Sequence, residues 1–470
     1  MGMSSPITPE QLAALPPEFR AILQAVIDHY EERIAKLQAE LDQWKKNPRN
    51  SSLPPSSEHP HAKPVAEKPK SNKKRGGQPG HKKHERALIP SQQCHQVLPL
   101  KPAACRRCGA KLRGDDAQPL RHQVWELPEI KPLVTEYQRH RLTCACSGDT
   151  TCAPLPAGVP AGQAGPRLIA LAALLMGCFR QSKSRVALFL EQVLGQPCST
   201  GWVVKLQNQA TAALRPAYDQ LAAQLPAQEV LGIDETPTKQ ATEKSWLWTC
   251  VATTFTVFAV RLTRAATVLE ELLTEEFVGV VNCDRAKMYY SLPRLQWCWA
   301  HLKRDFQALA DSSNGQQKCL GRDLLRSTRK LFQLWARYRD GTITWRGFQG
   351  LMQPVRREID SLLLRGAFSG NSRLCGMCDP LWKHRARLWT FVDVAGVEPT
   401  NNASERALRH AVIWRKLSFG TQSAQGSRFV ETLLTVVETC RQQSRAVFPF
   451  IAQAVHAQFA GLPGPTLTGA

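Results

Sequence analysis

Apolar side chains recur every seven residues near the start of the chain, in two interleaved series. This spacing predicts an amphipathic helix over residues 20–44 with charged residues on its other faces. The seam consists of Leu23, Tyr30, Leu37 and Trp44, with Ile27, Ile34 and Leu41 between them. The seam either packs on the rest of this chain or pairs with another copy. We favour an N-terminal coiled coil, within residues 1–46.

Helical periodicity returns over residues 166–215, where three apolar stretches predict three helices. A turn containing Gly195 precedes the third helix, which begins at Thr200 after Ser199. A helix, a glycine turn and a Ser-capped helix fit a helix-turn-helix, although any small helical bundle gives the same pattern. We assign residues 160–225 to a helix-turn-helix-like domain.

After Pro226 the period becomes that of extended chain. Three strands, a helix, a strand, a short helix, a strand and a further helix are predicted between residues 229 and 310. This order is that of an RNase H-like mixed α/β sheet, in which the first and fourth strands lie side by side. The Arg-rich helical stretch at about 310–394 is predicted to be an insertion. The catalytic domain then spans residues 226–440, and 441–470 forms a C-terminal helical element.

Two of the predicted strands end in an acidic residue, Asp234 in the first and Asp284 in the fourth. Neighbouring carboxylates repel each other unless they share a cation, and such oxygen ligands suit Mg²⁺ or Mn²⁺. Glu405, near an Asn that should cap a helix, is the predicted third ligand. Glu235 would point to the opposite side and is interpreted as a bystander. Weaker rivals for the third position are Asp393 and Glu398.

The charge of the chain indicates an anionic partner. Lys and Arg number 61 against 39 Asp and Glu, a formal net charge of +22, which favours double-stranded DNA. Residues 47–92 read as a basic arm that contacts DNA or as a solvated linker. We favour DNA contact by the cations Lys73, Lys74, Arg75, His81, Lys82 and Lys83. Neither a membrane span nor a secretory signal is evident, so we expect a cytoplasmic, nucleoid-associated protein.

Fifteen cysteines in a reducing compartment favour thiols and metal ligands over disulfides. Residues 93–156 are predicted to be a structural zinc module, with short strands at 123–127 and 133–142. Its ligands are Cys105, Cys108, Cys144 and Cys146. The second pair is compressed to CxC, so Cys152 or Cys94 with His95 could substitute. The later pair, Cys375 and Cys378, is interpreted as structural.

Further basic residues around the predicted acids are candidate DNA contacts. They are His301 and Arg304 after the fifth strand, and Arg406, Arg409, Arg415 and Lys416 on the Glu405 helix. His301 has an equally good alternative as a packing residue at a helix start.

Several of these segments together resemble the IS66 family of bacterial insertion-sequence transposases over nearly the whole chain. They are Asn50–Ser57, Arg75–His81, the Cys105/Cys108 pair, Gly232–Thr236, Trp246–Trp248, Cys298–Arg304, Pro399–Arg409, Arg415–Lys416 and Ser418–Gly420. The resemblance implies a DDE transposase with Asp234, Asp284 and Glu405 as its metal-binding triad. The sequence departs from the family pattern at Asn282, Cys283 and Met288, and at the CxC.

The resulting hypothesis is an enzyme that uses Mg²⁺ to cut DNA at terminal inverted repeats and to join the freed 3′ end to target DNA. A homodimer or higher oligomer would hold two element ends, with possible companion proteins of the element. The alternatives are an inactive or domesticated DNA-binding regulator and a structure-selective RNase H-like nuclease. The regulator would bind the repeats without metal-dependent cutting. The nuclease would cut branched DNA without needing the terminal sequence.

Overall fold

A computed structural model describes residues 14–44 and 86–469 of the chain. They belong to two compact units: of the described residues, the larger comprises 14–44, 136–192 and 196–469, and the smaller comprises 86–135 and 193–195. The predicted basic contacts from Lys73 to Lys83 lie outside the described residues. Among the described helices, none combines the length and apolar character that crossing a membrane requires.

The larger unit contains the regular structure that surrounds the site. Its helices are α1 (Pro17–Trp44), α2 (Pro166–Gly177), α3 (Lys183–Leu194), α4 (Thr200–Ala222), α5 (Thr267–Leu273), α6 (Trp299–Ala310), α7 (Gly315–Arg339), α8 (Trp345–Ala367), α9 (Ser372–Lys383), α10 (Ala386–Asp393), α11 (Asn402–Ser418), α12 (Ala424–Gln442) and α13 (Val447–Ala460). Its strands are β1 (Arg141–Thr143), β2 (Thr150–Cys152), β3 (Val230–Gln240), β4 (Glu243–Val251), β5 (Thr256–Arg261), β6 (Val280–Cys283) and β7 (Leu295–Trp297).

Strands β3 to β7 form one mixed sheet in the order β5-β4-β3-β6-β7. Strands β3, β4 and β5 are antiparallel neighbours, whereas β6 pairs parallel to β3 and β7 parallel to β6. A short 3-10 helix, Lys287–Ser291, lies between β6 and β7. The predicted mixed α/β arrangement and the adjacency of the first and fourth strands are confirmed.

Strand β3 is longer than predicted. It does not stop at the acidic pair but pairs with β4 as far as Gln240 opposite Glu243, so Asp234 lies in mid-strand. The alternation of apolar residues ends near Asp234, which is why the pattern suggested a strand end. Backbone pairing with β4 continues regardless of that pattern.

The outer edge of β5 is covered by side chains from α12. The backbone N–H groups of residues 256, 258 and 260 donate to Thr439 Oγ1, Thr435 Oγ1 and Glu431 Oε2 at 3.1, 2.9 and 3.0 Å. Acceptors spaced four residues apart on one helix face thus match every second residue of the strand. This satisfies donors that an exposed sheet edge would offer to another chain.

Helices α2, α3 and α4 occur where three helices were predicted. Residues along α4, including Val203 and Leu206, are buried. Helix α4 packs against α12 and α13, and the Tyr218 hydroxyl donates to the Phe258 carbonyl of β5 at 3.0 Å. Much of the predicted recognition helix therefore supports the sheet, and its contact with DNA stays a prediction.

The stretch predicted as an insertion contains four helices, α7 to α10, joined by short non-helical segments. It begins after α6 and returns through α10, which packs on β7. Cys378 of α9 is buried against Gly366 of α8, where an added Cβ would lie 2.4 Å from the sulfur. This close approach gives Cys378 a packing role, in agreement with its predicted structural character.

Helix α1 covers the predicted heptad seam. Leu23 and Ile27 are half-buried, whereas Tyr30 and Ile34 are exposed. The seam thus presents apolar side chains along the described part of the helix, and the coiled coil stays a prediction.

Two strand predictions near the cysteines are wrong. Residues 123–127 form no strand, and of 133–142 only the last two residues enter β1. In the smaller unit, Gln123 instead brackets Ile89, accepting from its N–H at 3.0 Å and donating to its carbonyl at 2.8 Å. Val124 and Leu133 are 79% and 101% exposed, so these alternating apolar residues have no core face to cover.

Candidate active site

The register of β3 and β6 brings two acidic residues to the same level of the sheet. Gly232 lies opposite Asn282 in this parallel pair, and Asp234 and Asp284 each follow by two residues. An Asp234 oxygen accepts from the Glu235 N–H at 3.0 Å, and an Asp284 oxygen accepts from the Ala286 N–H at 2.8 Å.

Electrostatics connects these two acids with Glu405. Burial raises the pKa of Asp234 well above its usual range, and the charges of Glu235, Asp284 and Glu405 raise it further. Asp284 and Glu405 therefore repel the Asp234 carboxylate. A bound cation would relieve this repulsion.

Helix α11, which carries Glu405, packs closely against β3, the strand that carries Asp234. An added Cβ at Gly232 would lie 2.4 Å from Ser404 Oγ, so glycine permits the approach. Asn401 precedes α11 but its side chain does not cap the helix, contrary to prediction. Its amide instead donates to the Ile233 carbonyl at 2.7 Å, which fixes the start of α11 on the strand that carries Asp234.

A second asparagine holds the approach to α11. The Asn282 amide of β6 donates to the carbonyls of Glu398 and Thr400 at 2.6 and 3.1 Å. Asn282 is one of the departures from the family pattern, and its amide joins β6 to the segment before Glu405.

Glu405 is half-buried among cationic and neutral groups. Burial raises its pKa, whereas Arg304, Arg409 and Arg406 oppose this rise. Its Oε1 lies 3.6 Å from His301 Nδ1 and 3.7 Å from Arg304 Nη2, too far for good hydrogen bonds. Within the described chain, this buried oxygen has no hydrogen-bond partner. Glu405 therefore retains an acceptor for a ligand.

His301 lies beside Glu405, with its Nδ1 3.6 Å from Glu405 Oε1, and its contact with DNA stays a prediction. Burial and the charges of Arg304 and Arg285 lower its pKa to about 4. The imidazole is therefore neutral at neutral pH. Arg285, which forms an ion pair with Asp305, was missed from the sequence although it directly follows Asp284.

Glu235 points away from the predicted triad but is no bystander. Its side chain is only 2% exposed. It accepts from Arg264 Nε at 2.7 Å and from the hydroxyl of Tyr289. Glu235 therefore fixes the 3-10 helix after Asp284 to β3, a role that no spacing in the sequence indicated.

The two rivals for the third acidic position have other partners. Glu398 pairs with Arg339 at 2.7 Å, and Asp393 pairs with Arg356 at 3.4 Å. Neither carboxylate is among those that raise the pKa of Asp234. Glu405 as the third ligand stays a prediction.

The basic residues of α11 differ in their availability. Arg406 and Arg409 are exposed. Arg415 Nη1 donates to Thr236 Oγ1 at 3.1 Å and to the Pro237 carbonyl, which gives this arginine a structural bond to β3. Lys416 is exposed near the end of the helix. Phosphate contacts by all four stay a prediction.

Two similar cysteine turns occur in the region of the predicted zinc module. The N–H groups of Gly109 and Gly148 donate to the carbonyls of Cys105 and Cys144, each at 2.9 Å. Both glycines have positive φ, 73° and 74°. Backbone N–H groups lower the pKa of Cys105.

The second turn lacks cysteine at the position that corresponds to Cys108. Ser147 lies there, and its hydrogen bonds are the main cause that lowers the pKa of Cys144 to about 7. Cys146 is one residue earlier. Cys105 and Cys108 belong to the smaller unit and Cys144 and Cys146 to the larger, and a zinc site formed by all four stays a prediction.

One group of three potential ligand atoms lies within 4.8 Å in the part of the chain that the structure describes. Its members are Cys298, His301 and Glu405. Asp234 and Asp284 are not in this group. The three acids of the predicted triad therefore do not lie within 4.8 Å of one another.

Comparisons with known proteins place the sheet and the acids in one matched region. The model described as Transposase IS66 family matches residues 161–428. DUF6444, a family of unknown function, matches residues 6–87. Uncharacterized protein y4hP of Sinorhizobium fredii is 24% identical over 382 residues, 72% of this chain and 68% of that protein. Uncharacterized protein y4qI of the same organism is 24% identical over 201 residues, 38% and 36% of the two chains.

Proposed function

The chain belongs to the IS66 transposase family, and we propose that it cuts DNA at the terminal inverted repeats of an insertion sequence and joins the ends to target DNA. Family membership implies a DNA transposase function. The proposed chemistry is supported by the register of β3 and β6, which sets Asp234 and Asp284 at one level of the sheet, and by the charges of Asp284 and Glu405, which act on Asp234. Both charges raise the pKa of Asp234.

These three acids fit a hard divalent cation. They supply oxygen donors, and Glu405 Oε1 is buried without a hydrogen-bond partner in the described chain. Asp234, Asp284 and Glu405 would hold Mg²⁺ or Mn²⁺. The bound ions would polarise the scissile phosphodiester and activate water or a 3′-hydroxyl for in-line attack.

The side chains around the acids would bind and orient DNA. Arg304, Arg406 and Arg409 each act electrostatically on Glu405, so phosphates that they bind would lie beside the acidic cluster. His301, neutral and half-buried next to Glu405, would contact the scissile strand. Arg415 would serve both the fold and the DNA, and Lys416 would extend the basic surface of α11.

The remaining parts of the chain would deliver DNA to this site. We assign residues 47–92, with Lys73 to Lys83, to a salt-sensitive DNA-binding arm. Residues 93–156 would hold structural Zn²⁺ and residues 160–225 would add DNA contacts. The seam of α1 would pair two copies, so that both element ends are held, with companion proteins of the element as further possible partners.

Cleavage of labelled terminal-repeat DNA in Mg²⁺ tests the triad directly. Asp234→Asn should reduce cleavage at least about a thousandfold, because the metal loses a charged ligand, while DNA binding changes little. Glu270→Gln, an exposed acid on α5, is the matched control and should retain cleavage. Undiminished cutting by Asp234→Asn would exclude the triad.

The same assay distinguishes the alternative functions. Repeat binding without cutting by the wild type would indicate a DNA-binding regulator. Cutting of branched DNA with no need for the terminal repeat would indicate a structure-selective nuclease.

A further inference from the structure

Two helix starts meet at a set of chemically different metal ligands. Cys298 immediately precedes α6, and His301 lies in its first turn. Glu405 lies in the first turn of α11. The backbone N–H of Trp299 donates to the Pro399 carbonyl at 2.9 Å, which ties the two helix starts together. The ligand atoms of Cys298, His301 and Glu405 lie within 4.8 Å of one another.

The facing atoms of this group are left without hydrogen bonds. His301 Nδ1 and Glu405 Oε1 are buried, 3.6 Å apart, and neither has a hydrogen-bond partner among the described residues. Buried polar groups are normally satisfied, and these two atoms are positioned to bind one ligand between them. The Arg304 guanidinium lies 3.7 Å from the same Glu405 oxygen, too far for a good hydrogen bond. An ion between them would satisfy both.

The sulfur of Cys298 is held as a metal thiolate would be. The backbone N–H of Asn401 donates to Cys298 Sγ at 3.2 Å, and Asn401 is itself bound to β3. Such a second-shell hydrogen bond orients a ligand. Burial raises the pKa of the Cys298 thiol to about 11, so the thiol is protonated until a metal binds. Glu405 and the sulfur are thus positioned through the same residue, Asn401.

We propose that Cys298, His301 and Glu405 form a binding site for a thiophilic divalent cation, Zn²⁺, and that its occupation withholds Glu405 from the catalytic metal and inhibits the enzyme. The proposed Zn²⁺ binding is argued from these contacts alone. The proposed inhibition rests on the proposed transposase function.

The ligand chemistry separates this site from that of the triad. One sulfur, one nitrogen and one oxygen suit Zn²⁺, with water in a fourth position, whereas Mg²⁺ prefers oxygen ligands only. On binding, the Cys298 thiol loses its proton to solvent and no electrons are transferred. Millimolar Mg²⁺ should therefore fail to displace Zn²⁺ from the thiolate, and the two ions would compete for Glu405.

Zn²⁺ binding to the full-length protein in chelator-buffered solution tests the site without DNA. Cys298→Ser and His301→Ala should each weaken one zinc equivalent by at least about tenfold, since each removes one of three ligands. Cys250→Ser, another buried cysteine, and Asp284→Asn, an acid outside the group, are the controls and should keep it. Circular dichroism confirms that each variant is folded.

A second readout reports the sulfur itself. Co²⁺ bound in place of Zn²⁺ should show a thiolate-to-cobalt absorption band whose intensity falls in Cys298→Ser but not in Cys250→Ser. Unchanged zinc stoichiometry and affinity in folded Cys298→Ser and His301→Ala would overturn the site.

Inhibition is measured on repeat-DNA cleavage in excess Mg²⁺. Micromolar Zn²⁺ should inhibit the wild type and a chelator should reverse it, while Cys298→Ser should require at least about tenfold more Zn²⁺. Zinc binding without inhibition of an active wild type would overturn the proposed inhibition. A wild type that cuts no DNA would refute the proposed function, and the binding experiment would still decide the metal site.

Discussion

Asp234 and Glu235 are neighbours on β3 and burial raises the pKa of both carboxylates, yet their hydrogen-bond partners differ. Glu235, on one face of the sheet, is buried with Arg264 and Tyr289 as hydrogen-bond donors. Asp234, on the other face, accepts one bond from its own strand, and burial together with the charges of Glu235, Asp284 and Glu405 raises its pKa. The Glu235 carboxylate has hydrogen-bond donors on both oxygens, whereas Asp234 is proposed to bind a cation.

This difference separates an acid that stabilises the fold from an acid that prepares a site. A buried carboxylate with donors on both oxygens contributes to stability because removing it leaves those donors unpaired. A repelling cluster instead lowers stability until a ligand arrives, and such perturbed groups concentrate at functional sites. The proposed metal site should therefore be visible in stability measurements as well as in activity.

The largest expected effect is on the satisfied side. Glu235→Leu should lower the free energy of unfolding by about 2–4 kcal/mol, because the buried Tyr289 hydroxyl and Arg264 lose their acceptor. Urea unfolding measures this loss. The exposed control Glu270→Leu should stay within about 0.5 kcal/mol of wild type, and an equally small effect of Glu235→Leu would erase the contrast.

Removing one donor should have a smaller effect on the same side. Tyr289→Phe should lower the free energy of unfolding by about 1 kcal/mol, because Glu235 keeps Arg264 as a partner. Combining it with Glu235→Leu in a double-mutant cycle measures their coupling. Strictly additive effects would contradict a direct hydrogen bond between them.

On the unsatisfied side the sign should reverse. Asp234→Asn should raise the free energy of unfolding in EDTA by about 1 kcal/mol, because it removes a repelled charge. Added Mg²⁺ should stabilise the wild type and not the variant. A destabilised Asp234→Asn protein in EDTA would show that Asp234 is held like Glu235.

The smallest expected effect is on how the free energy of unfolding depends on pH. The raised pKa of Asp234 in the folded state makes its contribution fully present below its ordinary value of 3.8. That contribution is lost as pH rises through the raised pKa. The metal-free wild type should thus lose stability relative to Asp234→Asn as pH increases over this range. A difference between the two proteins that does not vary with pH would contradict the repulsion.

Much of the sheet could be predicted because apolar alternation marks each strand in its own short stretch of sequence. The alternation of apolar residues and the order of the elements gave the adjacency of β3 and β6, which the structure confirms. The strand end was misjudged at Asp234, since apolar alternation reports burial rather than backbone pairing. Residues 123–127 failed for the converse reason, because alternation without a neighbouring core does not make a strand.

The partners of individual side chains could not be predicted. The sequence predicts Asn401 as a helix cap, but its amide donates to the Ile233 carbonyl. The sequence predicts Arg415 as a phosphate contact, but its guanidinium donates to Thr236 of β3. Each outcome depends on which distant backbone group is nearby, and sequence spacing does not carry that information.

The sequence by itself determined the order of elements, the basic character and the acids Asp234, Asp284 and Glu405 as candidates, because these follow from periodicity, composition and motif. Only the tertiary structure decided that Glu235 is a structural anchor and that Cys298 and His301 face Glu405. Residues about a hundred positions apart acquire such relations only through packing. The amino-acid sequence decides which functional group each position carries, whereas the surrounding structure decides whether that group has a hydrogen-bond or ion partner.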